Sequence, residues 1–451
     1  MRKAFYFGRT RIGRATNWVG FAIMASACLW IAAVAAGEHT FVLGVGTHLQ
    51  SGKRDLEKSL DRLAAAGVMA LRDDVPWSLV EQTPGKLHIP DRWDRLVNEA
   101  NARGINPLLI LDYGNKFYDD GDKPTSDEAI AAFTRYAAFV AAHFKGRVPY
   151  YEIWNEWGWS GGSPEDYVRL VKSVYPAVKG ADPDAIVLVG ADVPVGAGKS
   201  HNTILGGFIE QIILQGVLNF VDALSLHTYV HCEPGSHPED WAAWMRQVEE
   251  ELKRTAGGPV PFYITEMGWP TCIGSCGIDI EEQARYLARM FLLARTMPFI
   301  KGIWWYDLQN DGPDPKNREH NFGLLNHDLT PKPAYTALKS VSPVVREGRY
   351  VGSLYAGPAV HILRFDQGET TALAFWKEEH APCSAVWLTS SKPIQAKVGD
   401  IDGCMKPVSW EAVGASGYRL PLPLSEMPQM LFLAGEAISL DKLGASCARE
   451  P

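Results

Sequence analysis

The stretch YYEIWNEWGW (150–159) sets Glu152 and Glu156 among aromatic residues, and YITEMGW (263–269) sets Glu266 at the end of a second apolar run. A carboxylate in such surroundings is costly unless it is paired or used. Two that converge across a sugar-sized gap can cleave a glycosidic bond. One, as the acid, protonates the leaving oxygen; an apolar surround such as Trp154, Trp157 and Trp159 favours its neutral form. The other attacks the sugar carbon and must stay ionised, for which Arg72, Asn155 and Tyr229 are suitable neighbours. Glu152 reads as a support that pairs with Arg72 rather than as a catalyst.

Such convergence needs a scaffold. Past residue 40, eight apolar runs alternate with amphipathic stretches: 41–46, 68–72, 107–111, 148–154, 185–190, 221–226, 260–265 and 300–305. Several are continuously hydrophobic, as parallel strands covered on both faces must be. Ser126 and Asp279 read as helix N-caps, and Gly67 as a helix terminator. Eight strand–helix units predict a closed (β/α)8 barrel over 38–342. A doubly wound open sheet is the alternative, but no glycine-rich phosphate loop follows a strand.

In such a barrel the strand C-termini share one face, where active sites form. The first strand would deliver His48 there, the second Arg72 and Asp73, and the third Asp112, Tyr113 and Asn115. The fourth would deliver Asn155 and Glu156, the sixth His227 and Tyr229, and the seventh Glu266 with Trp269. The eighth would deliver Trp305, Tyr306 and Asp307, with Trp304 turned away into the core. Trp157 lies beside the presumed acid. Tryptophan faces suit the stacking of sugar rings.

From about 343 the runs become short and alternating, separated by Gly, Asp, Ser and Pro, which predicts a small antiparallel β-sandwich over 343–451. At the other end, five Arg and Lys residues in the first 14 precede an apolar stretch from Trp18 to Ala36. Residues 1–37 thus read as a signal peptide or an N-terminal anchor in the inner membrane, with the remainder exported to the periplasm or beyond. The net charge of −8 argues against a nucleic-acid partner. Beyond Cys28, six cysteines remain, an even number that suggests disulfides. Cys272 with Cys276, and Cys383 with Cys404, are the expected pairs. A metal site is the rival reading, but no histidine cluster with zinc spacing accompanies them. The chemistry requires neither metal nor cofactor.

The segments EIWNE, SLHTY, YITEMGW and GIWWYDL, in this order and spacing, resemble those of clan A glycoside hydrolases. A barrel followed by a small β-sandwich looks most like glycoside hydrolase family 39, and within it like endoglycosidases encoded with exopolysaccharide-synthesis machinery. The resemblance covers residues 40 to 435. It implies retention of configuration, with Glu156 as acid/base and Glu266 as nucleophile. Asn155 would bond the sugar 2-hydroxyl, Tyr229 would orient Glu266, Arg72 would support its charge, and Trp305 would be a sugar platform. His48, Tyr113, Asn115, Trp157, His227 and Trp269 would complete the substrate site. Many members have Pro after the acid; Trp157 here puts exo-acting xylosidase activity in doubt.

The function expected is a retaining endo-β-glycosidase acting on a bacterial exopolysaccharide, in association with a synthesis or export complex. The other readings are a non-catalytic barrel that guides a polymer during export, an exo-acting β-glycosidase, and a transglycosylase.

Overall fold

The computed structural model describes residues 41–194, 203–233, 236–399, 405–414, 417–434 and 443–447. The expected leader at 18–36 lies outside these residues. Among the described residues, no helix is long and apolar enough to cross a membrane.

Eight parallel strands close into a barrel: β1 (Val42–Gly46), β2 (Ala70–Pro76), β3 (Asn106–Asp112), β4 (Tyr150–Ile153), β5 (Ile186–Asp192), β6 (Ala223–His227), β7 (Phe262–Met267) and β8 (Ile300–Trp305). The ring is completed where β8 pairs with β1, Gly44 lying opposite Trp304. Helices cover the outside. Ser126 accepts from the amide of Ala129 and Asp279 from that of Glu282, each cap contributing about 1 kcal/mol to its helix. Gly67, at φ +76°, follows the end of the helix Leu56–Ala65. The outward strand residues and the inward helix faces form one large apolar layer.

The barrel interior is separate. Val42, Ala70, Leu108, Ile110, Leu188, Ala223, Tyr263 and Trp304 form an apolar plug of their own. Gly44 makes room for it, because a Cβ there would come within 2.5 Å of the Trp304 ring. Two-residue periodicity then fixes what lies above the plug. Ala70 is followed on the same face by Arg72 and Asp74, Ile110 by Asp112, Tyr150 by Glu152, and Ala223 by Ser225 and His227. The interior therefore changes from apolar to charged toward the strand C-termini.

Beyond the helix Pro333–Glu347 come ten strands, β9 (Arg349–Ser353), β10 (Val360–Gln367), β11 (Thr370–Lys377), β12 (Ala385–Ser390), β13 (Ala396–Gly399), β14 (Met405–Val408), β15 (Glu411–Val413), β16 (Gly417–Pro423), β17 (Gln429–Ala434) and β18 (Leu443–Cys447). They form a six-stranded sheet in the order β14-β13-β17-β11-β10-β9 and a four-stranded sheet in the order β15-β16-β12-β18. All their pairings are antiparallel, and the two share an apolar core. Buried Arg289, on the helix Ile280–Ala294, ties this region to the barrel by donating to the carbonyls of Lys377 and Glu426.

The disulfides differ from those expected. Cys232 pairs with Cys276, and Cys383 with Cys447, while Cys272 is a buried free thiol. The CIGSC segment folds on itself through the bond from the Ile278 amide to the Pro270 carbonyl. Cys272 thus turns inward, and Cys276 comes 4.5 Å, Cα to Cα, from Cys232 on the loop after β6. Cys383, which precedes β12, meets Cys447 because β18 pairs with β12. Cys404 lies outside the described residues.

Candidate active site

A cavity of about 700 Å³ opens at the C-terminal ends of the strands. Its lining includes Gly46, His48, Arg72, Asp73, Asp74, Tyr113, Asn155, Glu156, Trp159, Tyr229, Glu266, Tyr306 and Phe322.

Glu266 lies near the end of β7, where the register against β6 and β8 shifts and brings it to the cavity, and it is only 8% exposed. Its Oε1 accepts from Arg72 NH1 at 2.6 Å and its Oε2 from the Tyr229 hydroxyl at 2.8 Å. Burial alone would raise its pKa. The charges of His227 and Arg72, with the hydrogen bonds from Tyr229 and Arg72, outweigh that and hold it below the ordinary carboxylate value. Arg72 is itself locked: its Nε donates to Glu152 Oε2 at 2.7 Å and its NH2 to Asn155 Oδ1 at 2.8 Å. Glu152 is fully buried and ion-paired with Arg72, the supporting position expected for it. Asn155 also donates to the Tyr113 hydroxyl at 3.3 Å.

Glu156 reaches the same cavity through a strained turn. β4 ends at Ile153, and both Trp154 (φ +65°) and Glu156 (φ +51°) adopt the left-handed region, which costs a non-glycine residue about 1–3 kcal/mol. Hydrogen bonds hold the turn. The Glu156 amide donates to the Ala191 carbonyl, and Asp192 accepts from the amides of Gly158 and Trp159 at 2.6 and 2.9 Å. Gly158 is required, since a Cβ there would lie 2.5 Å from Phe208 and 2.8 Å from Asp192.

The reversal turns Trp154 out of the barrel, where it packs against Phe133 and Trp157. The expected tryptophan surround for Glu156 is therefore not formed by Trp154 or Trp157. Instead Glu156 Oε1 lies 2.9 Å from His227 Nδ1. That nitrogen is 3.6 Å from Glu266 Oε2, and an oxygen of each glutamate lies within 4.8 Å of the other. Burial would lower the His227 pKa, and Arg72 adds to that, but Glu266 and Glu156 raise it further, so the net shift is upward.

His48 lines the cavity and binds Asp311 at 3.0 Å through Nδ1. Burial opposes its protonation, but Asp311 and Asp307 overcome this and push it up to about 9. Four residues expected at the substrate lie elsewhere. Asn115 is buried below the loop after β3, donating to the Glu81 carbonyl. Trp157 is fully buried and donates to the Ser163 carbonyl, and Trp269 is likewise buried and donates to that of Ser236. Trp305 faces the helical layer, its ring 6.1 Å from that of Trp269. With Trp304 inside the barrel, Trp305 must point out and Tyr306 in.

The exposed aromatics at the cavity are Tyr113, 45% exposed, and Trp159, 69% exposed. Tyr306 lines the cavity at the end of the eighth strand, as expected, and Asp74 could have been assigned by counting two residues on from Arg72. Asp192 carries a weaker signal at the end of β5. Phe322, from a distant loop, carries none.

No family model matches the sequence. An endo-1,4-beta-xylanase B from Thermotoga neapolitana is 22% identical over 233 residues, which span 49% of this chain and 64% of the xylanase. The chain thus matches less than two thirds of that relative's length. Among solved structures, a family 39 glycoside hydrolase from Bacteroides cellulosilyticus superposes with a TM-score of 0.72 at 29% identity, over 88% of this chain and 81% of that one. A family 39 beta-xylosidase from Caulobacter crescentus superposes with a TM-score of 0.59 at 15% identity, over 89% of this chain and 97% of that one, a likeness of fold. By fold and by the likeness of sequence to the Bacteroides enzyme, the chain resembles the clan A glycoside hydrolases, family 39 among them.

Proposed function

We propose that this protein cleaves β-glycosidic bonds with retention of configuration, Glu266 acting as nucleophile and Glu156 as acid/base. One observation carries the reading: a buried Glu266, held in its ionised form by Arg72 and Tyr229, has an oxygen within 4.8 Å of Glu156. That spacing suits the retaining class, whose carboxyl groups stand about 5–5.5 Å apart, better than the inverting range of about 6.5–9.5 Å. In the first step Glu266 attacks the anomeric carbon while Glu156 protonates the departing oxygen. In the second, Glu156 takes a proton from water, which displaces Glu266 from the sugar. His227, in contact with Glu156 and near Glu266, steadies the charge that shifts between them.

The finer reading is endo cleavage of a bacterial exopolysaccharide outside the cytoplasm, with a polysaccharide synthesis or export complex as the setting. The exposed Tyr113 and Trp159 at the cavity suit a polymer running past it. The basic and then apolar N-terminal sequence and two disulfides suit an exported, periplasmic or membrane-anchored chain. The exopolysaccharide itself follows from the family resemblance.

The test incubates the full chain with purified bacterial exopolysaccharides and follows new reducing ends, with product anomers read by NMR. We expect oligosaccharides of retained configuration, and losses of about 1,000-fold or more for Glu156→Gln and Glu266→Gln. Polymer binding without any cleavage would instead favour a guiding barrel.

A further inference from the structure

Two more carboxyl groups meet at the cavity wall, and the reaction above uses neither. Asp74 shares the inward face of β2 with Arg72 and lines the cavity. Asp112 ends the inward row of β3, fully buried. Among the described residues, no N–H or O–H reaches either of its oxygens; the register, with Asp74 opposite Ile110 and Asp112 opposite Pro76, sets the two carboxyl groups side by side on the inward face. Two carboxyl groups in such contact must share a proton.

The surroundings decide which of them holds it. Burial raises both. The Asp74 charge then drives Asp112 well above the ordinary value, whereas Arg72 and His48 pull Asp74 back. Of the two, Asp112 holds a shared proton the more tightly, which leaves Asp74 the better acceptor. Among the described residues, the hydrogen bond to the Asp74 side chain is a long one, from Gln50 Nε2 at 3.3 Å. A carboxylate accepts about four hydrogen bonds, so capacity is left toward the cavity. Asp74 stands two residues along the strand from the arginine that holds Glu266, and the two carboxyl groups line the same cavity.

We propose that Asp74, oriented by Asp112, selects the sugar ring seated on Glu266. It accepts hydrogen bonds from free hydroxyl or amino groups and rejects a ring that carries a carboxylate toward β2. This rests on the glycosidase reading and narrows its substrate to a polymer of neutral or amino sugars at that position. A site built around a half-buried acceptor discriminates between rings, because an ill-matched ring leaves the acceptor unpaired or repelled.

The test uses the full chain and nitrophenyl β-glycosides of glucose, mannose, xylose, glucosamine and glucuronic acid. It reads aryl release, together with the mass of the protein after exposure to the corresponding 2-deoxy-2-fluoro glycosides. Wild-type protein should prefer one of the neutral or amino glycosides to the glucuronide. Asp74→Asn should lower kcat/KM on the preferred substrate by about 10- to 100-fold, the usual range for a hydrogen bond to a charged group, and should shrink that preference. Asp112→Asn, whose amide can donate to Asp74, should keep most of the activity. Asp112→Leu should behave like Asp74→Asn.

The proposal is overturned if Asp74→Asn and Asp112→Leu keep the wild-type preference. That includes the case in which they lower thermal stability and all rates alike, as a merely structural pair would. Failure of the underlying glycosidase reading has its own signature: wild-type protein releases no aryl group from any glycoside, gains no glycosyl mass on Glu266 and frees no reducing ends from the polymers. That result would overturn both.

Discussion

The mouth of the barrel and its outer wall draw on the same residue types, yet place them by different rules. At the mouth, charged side chains occupy the inward positions above the Trp304 plug: Arg72, Asp74, Asp112, Glu152, His227 and Glu266. In the wall, Trp157, Trp269 and Trp305 fill space between strands and helices, each donating its indole N–H to a backbone carbonyl. A buried charge is tolerated only where partners converge on it, so an ionisable residue at a strand end has few places to go. A tryptophan is at home on either side of the strand. The aromatics that line the cavity are accordingly Tyr113, Trp159, Tyr306 and Phe322 rather than the three tryptophans of the wall.

Four substitutions would break or sharpen this contrast. The largest effect is expected at the mouth. Arg72→Met leaves buried Glu152 without its counter-charge, and removing one partner of such a pair costs about 3–5 kcal/mol. We expect a loss of that size in denaturant unfolding and near-complete loss of hydrolysis; unchanged stability would mean that the charged layer is not held as described.

Next comes the wall against the rim. Trp157→Ala should cost about 3–5 kcal/mol of stability while the protein that remains folded keeps most of its kcat. Trp159→Ala should leave the melting temperature unmoved and weaken polymer binding instead. The reverse outcome, with Trp157→Ala binding polymer poorly at full stability, would return the wall tryptophans to the substrate.

The smallest effect is expected at Tyr229. Glu266 titrates below its ordinary value of 4.5, so its ionised form survives to lower pH and the acid limb of kcat/KM should fall below that value. Tyr229→Phe removes a hydrogen bond that favours the ionised form. The acid limb should then move to higher pH, with kcat/KM reduced by about 10- to 100-fold at neutral pH. An unmoved limb would deny Tyr229 any part in holding the charge of Glu266.

Much of this was legible in the residues. Continuous apolar runs with amphipathic stretches between them can be satisfied by parallel strands under helices, and the eight runs correspond to the eight barrel strands. Strand ends then put Arg72, Asn155, Glu156, His227, Tyr229 and Glu266 on one face. The pairing of Arg72 with Glu152 also followed from the chain, because a buried base on β2 and a buried acid on β4, both facing the barrel interior, have little else to meet.

What the chain alone left undecided has a common physical cause. The reversal of the backbone at Trp154 and Glu156 depends on Asp192 and Ala191 from the next strand, and it undoes the alternation that would have turned Trp154 inward. The inward choice between Trp304 and Trp305 depends on Gly44 lying opposite. Cysteine pairing depends on which loops the barrel and the sandwich bring together, and sequence spacing does not record that. Local periodicity and charge state which side chains need partners. Only the closed tertiary structure supplies those partners, since they arrive from strands and loops far along the chain.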